Sequence, residues 1–209
     1  HGVHLVGKAS MDELAMGGTN KSALTGPVYN PWDVRRIAGG SSGGSAALVA
    51  SGLVPFATGS DTGDSIRKPA GYCGIVGFKP SWGRISRYGV IPYASSLDHM
   101  GMFTRNVRDA AIVLEAMAGR DDRDMTSSFK EVPHYIEHLT SDIKNVKISV
   151  LRSVSDEIRN EEIKENFEMV VNTFKKLGAT VEDVTMDKTL LRTILPSYTI
   201  IANSEATSN

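Results

Sequence analysis

Two serines, Ser41 and Ser65, lie 24 positions apart, each in a glycine-dense turn that runs into a helix-forming stretch. The first turn is Gly39-Gly40-Ser41-Ser42-Gly43-Gly44-Ser45, and the second is Gly59-Ser60-Asp61-Thr62-Gly63-Asp64-Ser65-Ile66-Arg67. Turns of this kind leave backbone N–H groups unpaired and let a substrate approach the main chain closely. Small residues at 46–52 and an apolar run at 53–57 join the two. At about 1.5 Å per helical residue and about 3.3 Å per strand residue, a helix out and a strand back return the chain near its start. Both hydroxyls then meet at one site, a layout suited to serine-based acyl chemistry.

The 209 residues suffice for one domain or most of a larger one. Lys and Arg (23) nearly balance Asp and Glu (24), for a net charge of −1, with no basic stripe to hold a phosphate backbone. Direct, strong nucleic-acid binding by this chain is therefore not expected. Cys73 is the sole cysteine, which rules out an internal disulfide, fits a reducing compartment and reads as a small buried apolar residue. The longest apolar stretch, at 46–57, is interrupted by Ser51, Gly52 and Pro55 and is too short to span a bilayer. No signal-peptide charge layout or initiator Met opens the chain, so it reads as a piece of something longer, cut at both ends.

Short β-rich runs alternate with helical periods, which predicts an α/β fold. Residues 3–6 read as a strand, 11–16 as a short helix closed by Gly17-Gly18, and 27–33 as loop. Residues 74–78 and 84–86 read as short strands on either side of a turn. Asn106 caps a helix expected to bury Val107, Ala110, Ala111, Leu114 and Met117. A β-α-β pattern follows: a strand at 147–151, a helix from Asn160 expected to bury Ile163, Phe167, Val170, Phe174 and Leu177, and a strand at 180–184. A parallel pair with a right-handed crossover is expected there.

A serine hydroxyl is a poor nucleophile until a base takes its proton. Histidine is a weak candidate: His1 and His4 lie on the N-terminal run, His134 and His138 in a connection, and only His99 in a plausible loop. Residues 39–43 formally match Gly-x-Ser-x-Gly, but the glycine-rich run fits it in two registers and the match leaves Ser65 without a job. Either cluster alone reads best as a helix cap; the pair reads best as a site.

The two clusters, with Lys68-Pro69-Ala70 and Cys73-Gly74-Ile75-Val76-Gly77-Phe78-Lys79-Pro80, resemble the amidase signature family. The surrounding stretches at 7–18, 83–90, 93–101 and 118–124 are similar to its tRNA-linked amidotransferase branch. The resemblance is dense over residues 3–128 and loose beyond. It implies a mixed β-sheet flanked by helices, of which residues 1–209 form part of a single domain. It also implies a Ser-Ser-Lys triad with Ser65 as nucleophile and Ser41, reached through a cis peptide, relaying the proton to a neutral lysine. The N–H groups of Thr62, Gly63, Asp64 and Ser65 would form the oxyanion hole, and Met16, Gly17 and Gly18 would line the substrate pocket. Asp61 and Arg67 flank the loop as a bracing ion pair; the bland alternative, two unrelated surface charges, stands beside that reading. The branch implies glutamine as substrate and other amidotransferase subunits as partners, with tRNA reached only through the complex. ATP and Mg²⁺ would serve the partner subunit; no cofactor or metal is implied for this chain. The implied setting is bacterial cytoplasm, or a mitochondrion or plastid.

The chain departs from the family pattern twice. The family's lysine belongs to a segment preceding His1, and Lys8 matches a different position. The fragment alone is therefore expected to be inactive. Asp64 stands where the family has Gly; a carboxylate about 6 Å from a forming oxyanion opposes it by about 1–3 kcal/mol unless it points away or pairs with Lys68. The competing readings are a stand-alone amidase for a small amide, a non-catalytic scaffold subunit, and, last, an esterase dependent on His99.

Overall fold

The computed structural model describes residues 2–209 as two compact units. One runs to His138 and takes in Ile201–Asn209; the other is Leu139–Ile200.

The first unit is built on a three-stranded antiparallel sheet, β3 (Phe56–Asp61), β5 (His99–Thr104) and β4 (Val76–Phe78), with β5 in the middle. Successive side chains of a strand point to opposite faces, and β5 uses both. Phe103 packs with Ala46 and Val49 of α1 (Gly43–Ala50) and with Ala70 and Cys73 of α2 (Arg67–Cys73). Met102 packs on the other side with Val113 and Leu114 of α3 (Val107–Met117). The sheet is thus flanked by helices. A hairpin of β1 (Tyr29–Asn30) and β2 (Asp33–Ile37) precedes α1.

Asn106 caps α3 by accepting from the Asp109 N–H at 2.8 Å. The buried stripe takes Val113 in place of Val107, which is exposed. Residues 3–6 form no strand; Leu5 and Val6 lie in solvent without a pairing edge. Residues 11–16 tighten to a 3-10 turn, Glu13–Ala15, with Leu14 and Ala15 at positive φ. Part of the expected 27–33 loop is instead the β1–β2 hairpin. Residues 84–86 are not a strand: Arg84 is taken up by the chain at 130–135, donating to Tyr135 Oη and to the Lys130 and Glu131 carbonyls.

The second unit contains the expected parallel pair, β6 (Lys147–Leu151) and β7 (Thr180–Val184), in register Lys147↔Thr180 to Leu151↔Val184. A one-turn helix, α4 (Arg152–Ser155), and then α5 (Glu161–Lys176) join them. Asn160 caps α5 by accepting from the Ile163 N–H at 3.0 Å. Only Val171 of α5 is buried; Ile163, Val170 and Phe174, and Leu177 just past its end, are exposed. The last element, α6 (Lys188–Ser208), carries Pro196 internally and matches no element expected from the sequence. Among the described residues no helix is long and apolar enough to cross a membrane.

Candidate active site

Helix α1 leads out from the first serine cluster and β3 leads back to the second, so the two turns meet. The Ser42 N–H donates to the Ser65 carbonyl at 3.2 Å. The Ser42 hydroxyl donates to the Ser60 carbonyl at 3.1 Å and accepts from the Ser60 N–H at 3.2 Å. Ser41 is fully buried, its preceding peptide is cis, and its Oγ has no hydrogen-bond partner among the described residues. Ser65 is 5% exposed and its hydroxyl is likewise uncommitted there. A buried hydroxyl left without a partner, as at Ser41, is unusual, since buried polar groups are normally paired.

The loop between β3 and α2 presents the N–H groups of Thr62, Gly63, Asp64 and Ser65, none of which is paired within the described residues. The next two N–H groups turn inward instead: Ile66 and Arg67 donate to Asp61 Oδ2 at 3.0 and 3.3 Å. The Arg67 guanidinium closes on Asp61 at 2.9 Å and also grips the Gly63 carbonyl. Burial pushes the Asp61 carboxyl upward, but the Arg67 guanidinium and the Ile66 N–H outweigh it and hold the pKa below the ordinary carboxylate range. At the start of the loop the Thr62 hydroxyl donates to Asp98 Oδ1 at 2.5 Å. The Lys68 ammonium lies 2.7 Å from Asp64, so that charge is paired.

A third segment adjoins the serines. The Asp12 N–H donates to the Ser41 carbonyl at 3.1 Å, and the Gly40 N–H donates to the Gly18 carbonyl at 3.0 Å. These bonds seat the Met16-Gly17-Gly18 turn against the Ser41 loop. The buried Asp12 carboxylate accepts from the N–H groups of Asn20 (2.9 Å) and Ser22 (3.2 Å) and from the Ser22 hydroxyl (2.7 Å). Asn20, fully buried at positive φ, takes the Gly43 N–H at 2.9 Å. A side chain on Gly40 would bring its Cβ to 2.3 Å from Asp12 Oδ2 and 2.8 Å from the Asn20 nitrogen, so only glycine admits this approach.

Asp12, Asn20 and Asp98 do not stand out in the sequence. Their signal, polar residues beside glycine-rich turns, is too common. His99 lies not in a loop but at the head of β5, in register with Asp61. Its Nδ1 is 2.6 Å from the Leu97 carbonyl, burial lowers its pKa, and it makes no hydrogen bond to either serine. Lys8 is exposed. Among the described residues no lysine reaches Ser41: Lys68 is paired with Asp64, and Lys79 Nζ is 3.1 Å from the Pro80 carbonyl.

This chain belongs to the amidase family, whose model matches residues 1–209. It is 49% identical over 205 residues to the A subunit of glutamyl-tRNA(Gln) amidotransferase from Staphylococcus aureus, covering 98% of this chain and 42% of that one. The crystal structure of the corresponding A subunit from Thermotoga maritima superposes with a TM-score of 0.93 at 42% identity, covering 99% of this chain and 45% of that one. Native peptide amidase from Stenotrophomonas maltophilia superposes at 0.76 and 32% identity, covering 86% and 38%. The chain thus spans about two-fifths of the length of these relatives.

Proposed function

We propose that this chain is the serine-bearing part of an amidase-fold subunit that releases ammonia from glutamine for a tRNA-dependent amidotransferase. The observation that carries the reading is the pair of unpartnered serines on adjoining loops, beside four free backbone N–H groups.

Ser65 Oγ attacks the carboxamide carbon of glutamine while its proton passes to Ser41 Oγ. Ser41 in turn gives its own proton to a neutral lysine supplied from beyond these residues. Burial favours the neutral form of such a lysine. The negative oxygen of the tetrahedral intermediate is received by the N–H groups of residues 62–65, which the fold leaves unpaired. Collapse breaks the C–N bond as the proton held by the lysine returns through Ser41 Oγ to the leaving nitrogen, which releases ammonia and leaves an ester on Ser65. Water attacks that ester, releasing glutamate and restoring the serine. The Met16-Gly17-Gly18 turn walls the substrate side.

With no described residue bonded to Ser41 Oγ, the 209-residue chain is expected to turn over no amide by itself. Ammonia passes to a partner subunit that amidates Glu-tRNA(Gln) with ATP and Mg²⁺; tRNA meets this chain only through that complex. The setting is a bacterial cytoplasm or an organelle of bacterial descent. The stronger likeness to the amidotransferase subunits than to the peptide amidase favours this over a stand-alone amidase.

The test is ammonia release by the complete gene product, with and without its partner subunits, on glutamine and on a small aliphatic amide. Glutamine-dependent release that vanishes in Ser65→Ala is expected. Equal turnover of the small amide without partners would favour the stand-alone enzyme, and activity surviving Ser65→Ala would overturn the nucleophile.

A further inference from the structure

Four consecutive N–H groups act as one oxyanion receptor only if their loop is held at both ends. The C-terminal end is held by Asp61, through Ile66, Arg67 and the Arg67 guanidinium. The N-terminal end has one side-chain tether, the 2.5 Å bond from Thr62 Oγ1 to Asp98 Oδ1.

Asp98 is built to receive that bond. It is 5% exposed, and its carboxylate is fixed by the N–H of Tyr93 at 2.9 Å and by the N–H of Ala94 at 3.1 and 3.2 Å. Its own turn is closed by the Leu97 and Asp98 N–H groups on the Ala94 carbonyl, at 2.9 and 2.8 Å. The end of α6 supports the turn: Glu205 accepts from the Ser96 N–H at 2.9 Å, and Asn209 Nδ2 donates to the Tyr93 carbonyl at 3.3 Å. A hydroxyl donating to an ionised acceptor makes a short, strong bond, stronger than one to an amide or carbonyl. A buried carboxylate is costly unless neighbouring donors take up its charge, and here those of Thr62, Tyr93 and Ala94 do.

We propose that Asp98 is a positioning residue for amide hydrolysis: through Thr62 Oγ1 it sets the direction of the Thr62 N–H and hence the mouth of the oxyanion hole. This rests on Ser65 being the nucleophile. The role is indirect, since Asp98 meets the loop only through the Thr62 side chain. It acts on the transition state, because the loop's N–H groups strengthen their bonds only as the oxygen becomes charged.

The experiment compares Thr62→Val, Thr62→Ser and Asp98→Asn in the complete gene product with its partner subunits. It measures kcat and KM for glutamine and inhibition by butyraldehyde, whose adduct with Ser65 places an oxygen in the same hole. Thr62→Val should lower kcat about 10- to 100-fold, as expected for a donor displaced rather than deleted, with KM within about twofold. Butyraldehyde inhibition should weaken by the same factor. Thr62→Ser should recover most of the loss, and Asp98→Asn, which keeps shape but lengthens the bond, should fall between. Wild-type kcat and wild-type inhibition in folded Thr62→Val, alongside an inactive Ser65→Ala, would overturn the proposal and leave the nucleophile standing. A rise in KM alone would do the same, by making Thr62 a binding residue. If Thr62→Val does not fold, unchanged kcat and inhibition in folded Asp98→Asn decide against it. Activity that persists in Ser65→Ala would instead sink the reading beneath it.

Discussion

The ammonium of Lys68 sits 2.7 Å from the carboxylate of Asp64, one helical turn away along the chain and directly before the candidate nucleophile. The same Nζ is so close to Gly18 that a Cβ built there would lie 2.8 Å from it. Lys68 therefore offsets the unusual carboxylate and abuts the Gly17-Gly18 turn at once. Lys68→Met should lower kcat about two- to fivefold, a small effect because both groups are partly exposed and the pair is screened. Asp64→Gly in the Lys68→Met background should restore most of the loss. Ammonia assays at low and high salt check this; a Lys68→Met enzyme equal to wild type at low salt would show that Asp64 does not reach the reacting centre.

Ser41→Ala should separate stability from activity. A buried hydroxyl without a partner has lost its water and gained nothing. Its removal is therefore expected to leave the 209-residue chain as stable as before, or more stable by about 1 kcal/mol. The same change in the complete gene product should cost orders of magnitude in kcat, since the proton route from Ser65 is cut. Urea denaturation of the chain and steady-state kinetics of the product are the two measurements. A clear loss of stability would mean that Ser41 has a structural partner.

The Asp61–Arg67 pair predicts an acid-sensitive contribution to stability. Asp61 is fully buried; burial raises its pKa, but the Arg67 guanidinium and the Ile66 N–H bring the net value below normal. The folded state thus holds a proton on this group less readily than the unfolded state does. The contribution is full above the unfolded carboxyl pKa, near about 3.9, and is lost as the pH falls through the lower folded value. Asp61→Asn should destabilise by about 2–3 kcal/mol at pH 7, less than a fully buried pair because Arg67 is half exposed. The difference should shrink toward zero on acidification. A gap between the two urea midpoints that is constant from pH 7 to pH 3 would contradict the assignment.

Cys73 should behave as a reporter of opening. The thiol is fully buried, its Sγ lies 3.6 Å from the Ala38 carbonyl, and burial pushes its pKa up to about 11. The folded state keeps this proton where the unfolded state loses it, so stability should decline as pH rises from about 8.5 toward 11. Iodoacetamide at pH 8 should label native protein only as fast as the core opens, and denatured protein at once. Rapid labelling of native chain would show the site to be open.

What could be read from the sequence was what is local. Asn106 and Asn160 announce their helices because a cap acts three residues away. The two serine turns announce each other because α1 and β3 are short. Two carboxylate–cation contacts around the Ser65 loop, Asp61 with Arg67 and Asp64 with Lys68, are likewise readable from close spacing. Strand β5 is hidden because His99–Thr104 has neither alternation nor β-branched residues before Thr104; its place between β3 and β4 makes it a strand. Asp12 and Asp98 are hidden for a related reason. Asp98 collects N–H groups from its own turn and Asp12 from Asn20 and Ser22, but what matters is the tie each makes to a distant segment, Asp12 to Ser41 and Asp98 to Thr62.

The close approaches at Gly40 and Gly44 carry a lesson for anyone wishing to move this site onto another scaffold. A Cβ at Gly44 would lie 2.3 Å from the Ser10 carbonyl, as one at Gly40 would from Asp12. The serine loop is moulded to residues 10–20, to the Ser10 main chain at Gly44 and to the tied-down side chains of Asp12 and Asn20 at Gly40 and Gly43. Transplanting the two serine motifs alone would carry the reactive groups but not their mould. A working graft would have to include residues 10–22, both serine turns and the turn that holds Asp98, moved together as one casting.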